Sequence, residues 1–173
     1  VLSMGAFSLV SCSDEETYPV TPVIAFKSLE KYQSLSGLDS LVLAFSFTDG
    51  DGDIGTVASD SFGRDVYVRL FEKNNGVFEE AQLNAPLEYR VPYLEPRGNN
   101  SSLKGDIRIN IDYNILRPND TIYYKTVLED RAGNRSNEIS TATLICITWH
   151  HNPSLAKHQE TCFTIPILNF KSK

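Results

Sequence analysis

Apolar and polar residues alternate along most of the chain from residue 40 to residue 147. In residues 106–112, Ile107, Ile109 and Ile111 are separated by polar residues, so they would share one face of a strand. A period of two is typical of half-buried β-strands, and no long segment shows the spacing of an amphipathic helix. The pattern therefore predicts an all-β protein.

Short alternating segments recur between clusters of turn-forming residues. The predicted strands are residues 40–48, 65–73, 76–80, 88–93, 106–112, 121–129 and 138–147. Asn, Gly and Pro are concentrated between them, for example at residues 74–76 and 117–120, and favour tight turns. About seven short strands at this spacing predict an antiparallel β-sandwich of the immunoglobulin or fibronectin type III kind over residues 25–147.

The composition fits one domain with additional segments. The chain has 173 residues, of which 41% are hydrophobic, which is enough to bury a core. It has 22 acidic and 16 basic residues, and no run of about 18 apolar residues that would span a membrane. An acidic balance without a basic stripe argues against nucleic acid as a partner.

The first residues resemble a processing signal. Residues 1–11 are small or apolar, which is typical of the end of a secretory signal peptide. Residues 9–12, LVSC, resemble a bacterial lipobox, and this implies cleavage before Cys12 and attachment of lipid to that residue. Several acyl chains on one residue give stable membrane anchoring. The alternative is a short buried element with an ordinary cysteine.

The residues after Cys12 are acidic. Ser13, Asp14, Glu15 and Glu16 resemble the export signal of Bacteroidota surface lipoproteins, which implies display on the outer face of the outer membrane. A solvated acidic linker is the alternative. Residues 17–22, TYPVTP, contain two prolines and favour an extended chain, so residues 12–24 are predicted to be a lipid-anchored linker.

A second acidic segment follows the predicted strand at residues 40–48. Asp49, Asp51 and Asp53 alternate with glycines, so a short loop can curl their carboxylates around one hard cation. We expect this cation to be a structural Ca²⁺. The alternative is that Asp-Gly repeats only form turns.

Three further aspartates are candidates to complete the calcium coordination, namely Asp60, Asp65 and Asp130. Asp60 occupies the twelfth position counted from Asp49, where an EF-hand would have Glu. An EF-hand is nevertheless rejected, because Ile54 stands where that motif needs Gly and the flanking segments are predicted strands.

Four segments carry a family resemblance. They are residues 43–55 (LAFSFTDGDGDIG), 90–94 (RVPYL), 103–105 (LKG) and 120–137 (DTIYYKTVLEDRAGNRSN). Together they resemble a family of small Bacteroidota surface lipoproteins with an immunoglobulin-like domain, over about residues 9–145. The resemblance implies an export route and a sandwich fold. It implies no reaction, because no catalytic residues are established for the family.

All three histidines lie between two cysteines near the end of the sequence. If residues 146–162 form a hairpin, one register places Cys146 opposite Cys162 and His150 opposite His158. With Cys12 lipidated, the remaining pair is a disulfide candidate in an exported protein. A Cys2His2 zinc site is the alternative, although it needs reduced thiols. Residues 148–173 are predicted to be a C-terminal extension, with a hairpin as one option.

The sequence contains no familiar catalytic pattern, so we do not expect an enzyme. We expect a non-enzymatic, calcium-stabilised surface lipoprotein that serves as an accessory subunit of an outer-membrane protein complex. One alternative is a free-standing glycan- or protein-binding lipoprotein, with Tyr67, Phe71 and Tyr123 as candidates for sugar stacking. A second is a metal-dependent hydrolase with one of the histidines, His150, His151 or His158, as its base.

Overall fold

The computed structural model describes residues 17–33, 39–57, 59–60, 63–95, 101–112, 121–149 and 159–165. These residues form ten β-strands. The strands are β1 (Val23–Gln33), β2 (Asp39–Asp49), β3 (Val66–Asn74), β4 (Val77–Glu80), β5 (Leu87–Tyr89), β6 (Leu103–Asp112), β7 (Thr121–Leu128), β8 (Ile139–Ser140), β9 (Thr143–Trp149) and β10 (Gln159–Ile165). Among the described residues, no helix is long and apolar enough to cross a bilayer.

The strands form two sheets with antiparallel pairing between all neighbouring strands. One sheet has the order β1-β2-β6, and the other has the order β10-β9-β7-β3-β4, with β5 on β3 and β8 on β7. β1, β2 and β6 therefore occupy the A, B and E positions of an immunoglobulin-type sandwich, and β9, β7 and β3 occupy the G, F and C positions. The predicted all-β sandwich is confirmed.

The core consists of the apolar side chains that the two sheets turn toward each other. The alternating residues of four strands supply most of its fully or almost fully buried members, namely Leu41, Leu43, Phe45, Val66, Leu70, Ile109, Ile111, Ile122 and Leu128. Each such side chain contributes roughly 1.5–3 kcal/mol through its removal from water. The strand faces read from the sequence are therefore the faces that build the core.

Strand β1 was not among the predicted strands, and a bulge explains why. Its register on β2 shifts between Phe26 and Ser28. The buried residues Ile24 and Leu29 consequently lie five positions apart, which breaks a period of two. The sandwich begins at Val23, so the last residues of the predicted linker belong to the domain.

Asn137 joins the start of β1 to the chain that leads into β8. Its side-chain amide donates a hydrogen bond to the carbonyl oxygen of Ile24 (2.9 Å), and its side-chain oxygen accepts one from the amide N–H of Ile24 (2.9 Å). Because β1 and β8 belong to different sheets, one side chain connects the two sheets at this end.

The predicted strand at residues 138–147 is divided into β8 and β9 by Thr141. This fully buried residue donates its amide N–H to the Tyr124 carbonyl (2.9 Å) and accepts the Tyr124 amide N–H through its hydroxyl (3.0 Å). A side-chain hydroxyl here takes the place of a backbone acceptor. The alternation of apolar and polar residues does not reveal that the Thr141 hydroxyl replaces a backbone acceptor at this position.

Strands β9 and β10 form a hairpin in the register that the cysteine spacing predicts. Cys146 lies opposite Cys162, and a disulfide joins them. Because the two sulfur atoms are bonded to each other, no thiolate remains to bind zinc. The structure therefore favours the disulfide over the alternative Cys2His2 zinc site. The predicted boundary at residue 147 falls inside β9, and β10 continues the second sheet. The three histidines lie outside the described residues.

We predict that the disulfide contributes substantially to stability. The double variant Cys146→Ser/Cys162→Ser should lower the free energy of unfolding by about 3 kcal/mol, because a cross-link over a loop of this length restricts the unfolded chain. Urea denaturation measures the difference, and reduced wild-type protein should match the variant. Thiol titration of the denatured variant Cys12→Ser should find no free cysteine, and two free thiols would contradict the prediction.

Candidate metal site

The acidic loop, residues 49–53, begins at the last residue of β2. β2 is the central strand of its sheet, and Asp49 continues its run of buried residues, with no exposed surface. Gly52 has a φ of 72°, a left-handed conformation that glycine adopts without strain. The chain therefore turns back at once, and Asp53 lies close to Asp49.

The loop brings three carboxylates together. One side-chain oxygen from each of Asp49, Asp51 and Asp53 lies within 4.8 Å of the others. Asp49 accepts the amide N–H of Asp53 (3.0 Å) through one oxygen, and Asp53 accepts the amide N–H of Ala132 (2.9 Å) through one oxygen. The second oxygen of each, Oδ1, is buried and has no hydrogen-bond partner in the part of the chain that the structure describes.

Burial makes the charged forms of Asp49 and Asp53 unfavourable. It raises the pKa of Asp49 to about 6, and the neighbouring charges of Asp51 and Asp53 act in the same direction. The pKa of Asp53 is also raised, first by burial and then by the charge of Asp130. A bound divalent cation would offset both causes, because it stabilises the ionised carboxylates.

A second loop, residues 129–135, supports the acidic loop from the other sheet. Arg131 donates its amide N–H to the carbonyl of Asp53 (3.2 Å). Its guanidinium donates to the carbonyls of Ile54 (3.1 Å) and Gly55 (3.0 Å) and lies over the ring of Tyr93, 4.9 Å from its centroid. Arg131 was not among the candidate residues predicted from the sequence, although it lies within residues 120–137.

In the structure the three additional candidate ligands, Asp60, Asp65 and Asp130, accept hydrogen bonds of their own. Among the described residues, the group that could share a cation contains Asp49, Asp51 and Asp53 but not the others. Asp130 lies near enough for its charge to act on Asp53. However, its two oxygens accept the backbone and side-chain N–H groups of Asn134 (2.7 and 2.9 Å) and close that turn.

Asp65 and Asp60 have structural partners of their own. Asp65 is buried and accepts the Thr56 hydroxyl and the Val91 amide N–H, both at 2.7 Å, so it joins two loop segments. Asp60 is exposed and accepts the amide N–H of Gly63 (2.9 Å). Each carboxylate is explained by these hydrogen bonds without a cation.

The aromatic residues proposed for sugar stacking are engaged by other side chains. Phe71 stacks on Tyr123, with ring centroids 4.9 Å apart and an interplanar angle of 7°. Arg69 and Lys125 lie over the ring of Phe71, at 5.6 and 5.3 Å from its centroid. Arg135 lies 5.0 Å from the centroid of Tyr67. This arrangement does not favour a sugar-binding face.

Two clefts lie away from the acidic loop. One, of about 420 Å³, is lined by residues of β1, β2 and β6, and the other, of about 440 Å³, lies between β6 and residues 89–94. None of the three clustered aspartates lines either cleft. The carboxylates therefore do not face these two cavities.

The predicted lipidation site Cys12 and the predicted export signal, Ser13, Asp14, Glu15 and Glu16, lie outside the described residues. No protein-family model, curated protein or solved structure matches the chain.

We predict that the metal-free protein loses stability as the pH rises from 3.8 to about 6. The pKa of Asp49 in the folded protein, about 6, exceeds its ordinary value of 3.8, so folding favours the protonated form. This stabilisation is complete at low pH and disappears as the pH rises through 6. Thermal melting in EDTA at several pH values measures the effect.

Asp49→Asn should weaken this pH dependence and stabilise the metal-free protein at pH 7.5 by about 1–2 kcal/mol, because the buried charge is removed. Asp60→Asn is the matched control at an exposed turn and should behave as wild type. An unchanged pH profile in Asp49→Asn would show that this carboxyl does not cause it.

Proposed function

We propose that this protein is a non-enzymatic lipoprotein on the outer face of the outer membrane, where a calcium-stabilised β-sandwich serves as an accessory subunit of a membrane protein complex. The carboxylate cluster of Asp49, Asp51 and Asp53, in which Asp49 is fully buried, is the observation that carries the proposal. The cluster supports a bound cation that stabilises the fold. A domain stabilised in this way would act as a rigid binding partner and not as a catalyst.

The donor set fits Ca²⁺ better than other common cations. All three side chains offer oxygen, which Ca²⁺ and Mg²⁺ prefer, whereas Zn²⁺ sites in proteins favour nitrogen and sulfur. Two oxygens bound to one Ca²⁺ at about 2.4 Å are at most about 4.8 Å apart, and the three carboxylates meet this limit. Backbone carbonyls and water would supply the remaining ligands of a flexible calcium shell, while Mg²⁺ demands stricter octahedral geometry.

The surroundings of the cluster support a structural role for the cation. A catalytic metal keeps a coordination position open toward its substrate. Here Asp49 has no exposed surface, Asp51 is exposed to solvent, and neither of the two clefts described above is lined by the clustered aspartates. These observations favour the non-enzymatic alternative over a metal-dependent hydrolase.

The proposed location depends on the first residues of the sequence. The LVSC motif ending at Cys12 and the acidic residues 14–16 are the features that support lipidation and surface export. A lipid-anchored domain of this size, without a recognised catalytic pattern, fits an accessory subunit better than a free-standing enzyme.

We predict that Ca²⁺ raises the melting temperature of EDTA-treated protein. At about 100 times the dissociation constant, binding to the folded state adds about 2.7 kcal/mol, which corresponds to roughly 5–10 °C for a chain of this length. The double variant Asp49→Asn/Asp53→Asn should lose the response, and Asp60→Asn should keep it. A wild-type melting temperature that is indifferent to both EDTA and Ca²⁺ would contradict the site.

We predict that Cys12→Ala moves the protein from the membrane fraction to the soluble fraction, because it removes the attachment point of the lipid. Asp60→Asn, at an exposed turn, serves as the control and should stay with the membrane. Cell fractionation followed by immunoblotting measures the distribution. Membrane association that survives Cys12→Ala would exclude the lipid anchor.

Isolation of tagged protein from detergent-solubilised outer membranes tests the accessory role. We expect an outer-membrane protein to co-purify at a fixed stoichiometry and to remain bound through size-exclusion chromatography. Elution of the lipoprotein alone, from membranes in which the anchor is intact, would contradict the accessory role and leave a free-standing module.

A further inference from the structure

The N-terminal segment, residues 17–22, packs on the acidic loop. The amide N–H of Gly50 donates a hydrogen bond to the carbonyl oxygen of Pro19 (2.8 Å). Lys104 lies over the ring of Tyr18, 6.0 Å from its centroid, and Pro22 is buried. The residues that lead into β1 therefore contact the loop that carries the clustered aspartates.

Gly50 allows this approach because it has no side chain. A Cβ atom at this position would lie 2.3 Å from the carbonyl oxygen of Tyr18 and 2.7 Å from that of Pro19. The backbone of Gly50 is not among the positive-φ glycines, so alanine is compatible with its conformation. The packing of the N-terminal segment, and not the shape of the loop, requires glycine here.

Gly50 also lies between two of the candidate ligands, Asp49 and Asp51. Its carbonyl oxygen accepts the hydroxyl of Ser101 (3.3 Å), so both of its backbone polar groups bind neighbouring segments. The adjacent Asp49 is fully buried, and its Oδ1 has no hydrogen-bond partner among the described residues. Any rearrangement that separates the carboxylates would move the amide that holds Pro19.

We propose that a divalent cation bound by Asp49, Asp51 and Asp53 fixes the N-terminal segment on the sandwich. The proposal rests on the calcium site described under the proposed function. Without the cation, repulsion between the carboxylates opens the loop and weakens the hydrogen bond from Gly50 to Pro19. By thermodynamic linkage the effect is reciprocal, so loss of the segment contact must weaken cation binding by the same factor.

The consequence is a change in the length of free chain before the domain. An extended chain spans at most about 3.3–3.6 Å per residue, so release of residues 17–22 adds roughly 20 Å of reach. With the cation bound, the linker is short and its direction is set by the packing of Tyr18 and Pro19. The cation thereby controls how far the sandwich stands from its point of attachment.

The variant Gly50→Ala tests the coupling, because it displaces the segment and keeps all three carboxylates. Calorimetric titration with CaCl₂ should show affinity about tenfold lower than for wild type, within the usual range of coupling between sites. Gly105→Ala is the matched control, since a Cβ there meets only the ring of Phe47 (3.2 Å). It should bind Ca²⁺ like wild type.

Backbone ¹⁵N relaxation provides a second readout on wild-type mature protein. Order parameters of the amides of Thr17, Tyr18, Val20 and Thr21, the residues of this segment that have an N–H, should be below about 0.6 in EDTA and near 0.85 with Ca²⁺. In Gly50→Ala they should stay low in both conditions. This measurement keeps the proposal testable even if the variant folds poorly.

The possible outcomes distinguish a failure of the proposed coupling from a failure of the proposed cation site. If wild type binds Ca²⁺ but the order parameters of residues 17–22 do not change, or Gly50→Ala binds with wild-type affinity, the coupling is wrong and the cation site stands. If wild type binds no Ca²⁺, both the site and the coupling are wrong.

Discussion

A carboxylate that ends a buried strand is the constraint on which this end of the molecule depends. Asp49 belongs to β2, whose preceding residues form the core, so its charge has no access to water. An ionised group in such a position needs partners or a counter-ion. The amide of Asp53 satisfies one oxygen, and the loop conformation brings a carboxylate oxygen of Asp51 and one of Asp53 within 4.8 Å of an oxygen of Asp49.

The same arrangement joins the two sheets. β2 lies in one sheet, and the loop at residues 129–135 follows β7 of the other sheet. Hydrogen bonds from Arg131 and Ala132 to Asp53 connect them, and Gly50 adds the chain that leads into β1. The acidic loop is thus a junction of three segments.

Short sequence patterns predicted those features that depend mainly on residues close together in the chain. Alternation identified β2, β3, β6 and β7, and Asp-Gly spacing identified the three clustered aspartates. The bulge that hides β1, and the partners of Asp65 and Asp130, depend on residues brought close by the fold: Asp65 binds Thr56 and Val91, and Asp130 closes a turn with Asn134. A sequence does not show which aspartates are candidate cation ligands and which accept hydrogen bonds within the fold. Only the residues that the fold brings close to each carboxylate distinguish the two roles.

The double hydrogen bond between Asn137 and Ile24 has a mechanical consequence. Tension transmitted through the preceding residues, once it has passed the contact of residues 17–22 with the acidic loop, reaches the start of β1, next to this clamp. β1 pairs with β2 along nearly its whole length, so a pull along the strand axis loads many hydrogen bonds simultaneously instead of breaking them in succession. A domain held from its amino-terminal side is therefore built to resist shear at the strand that bears the load.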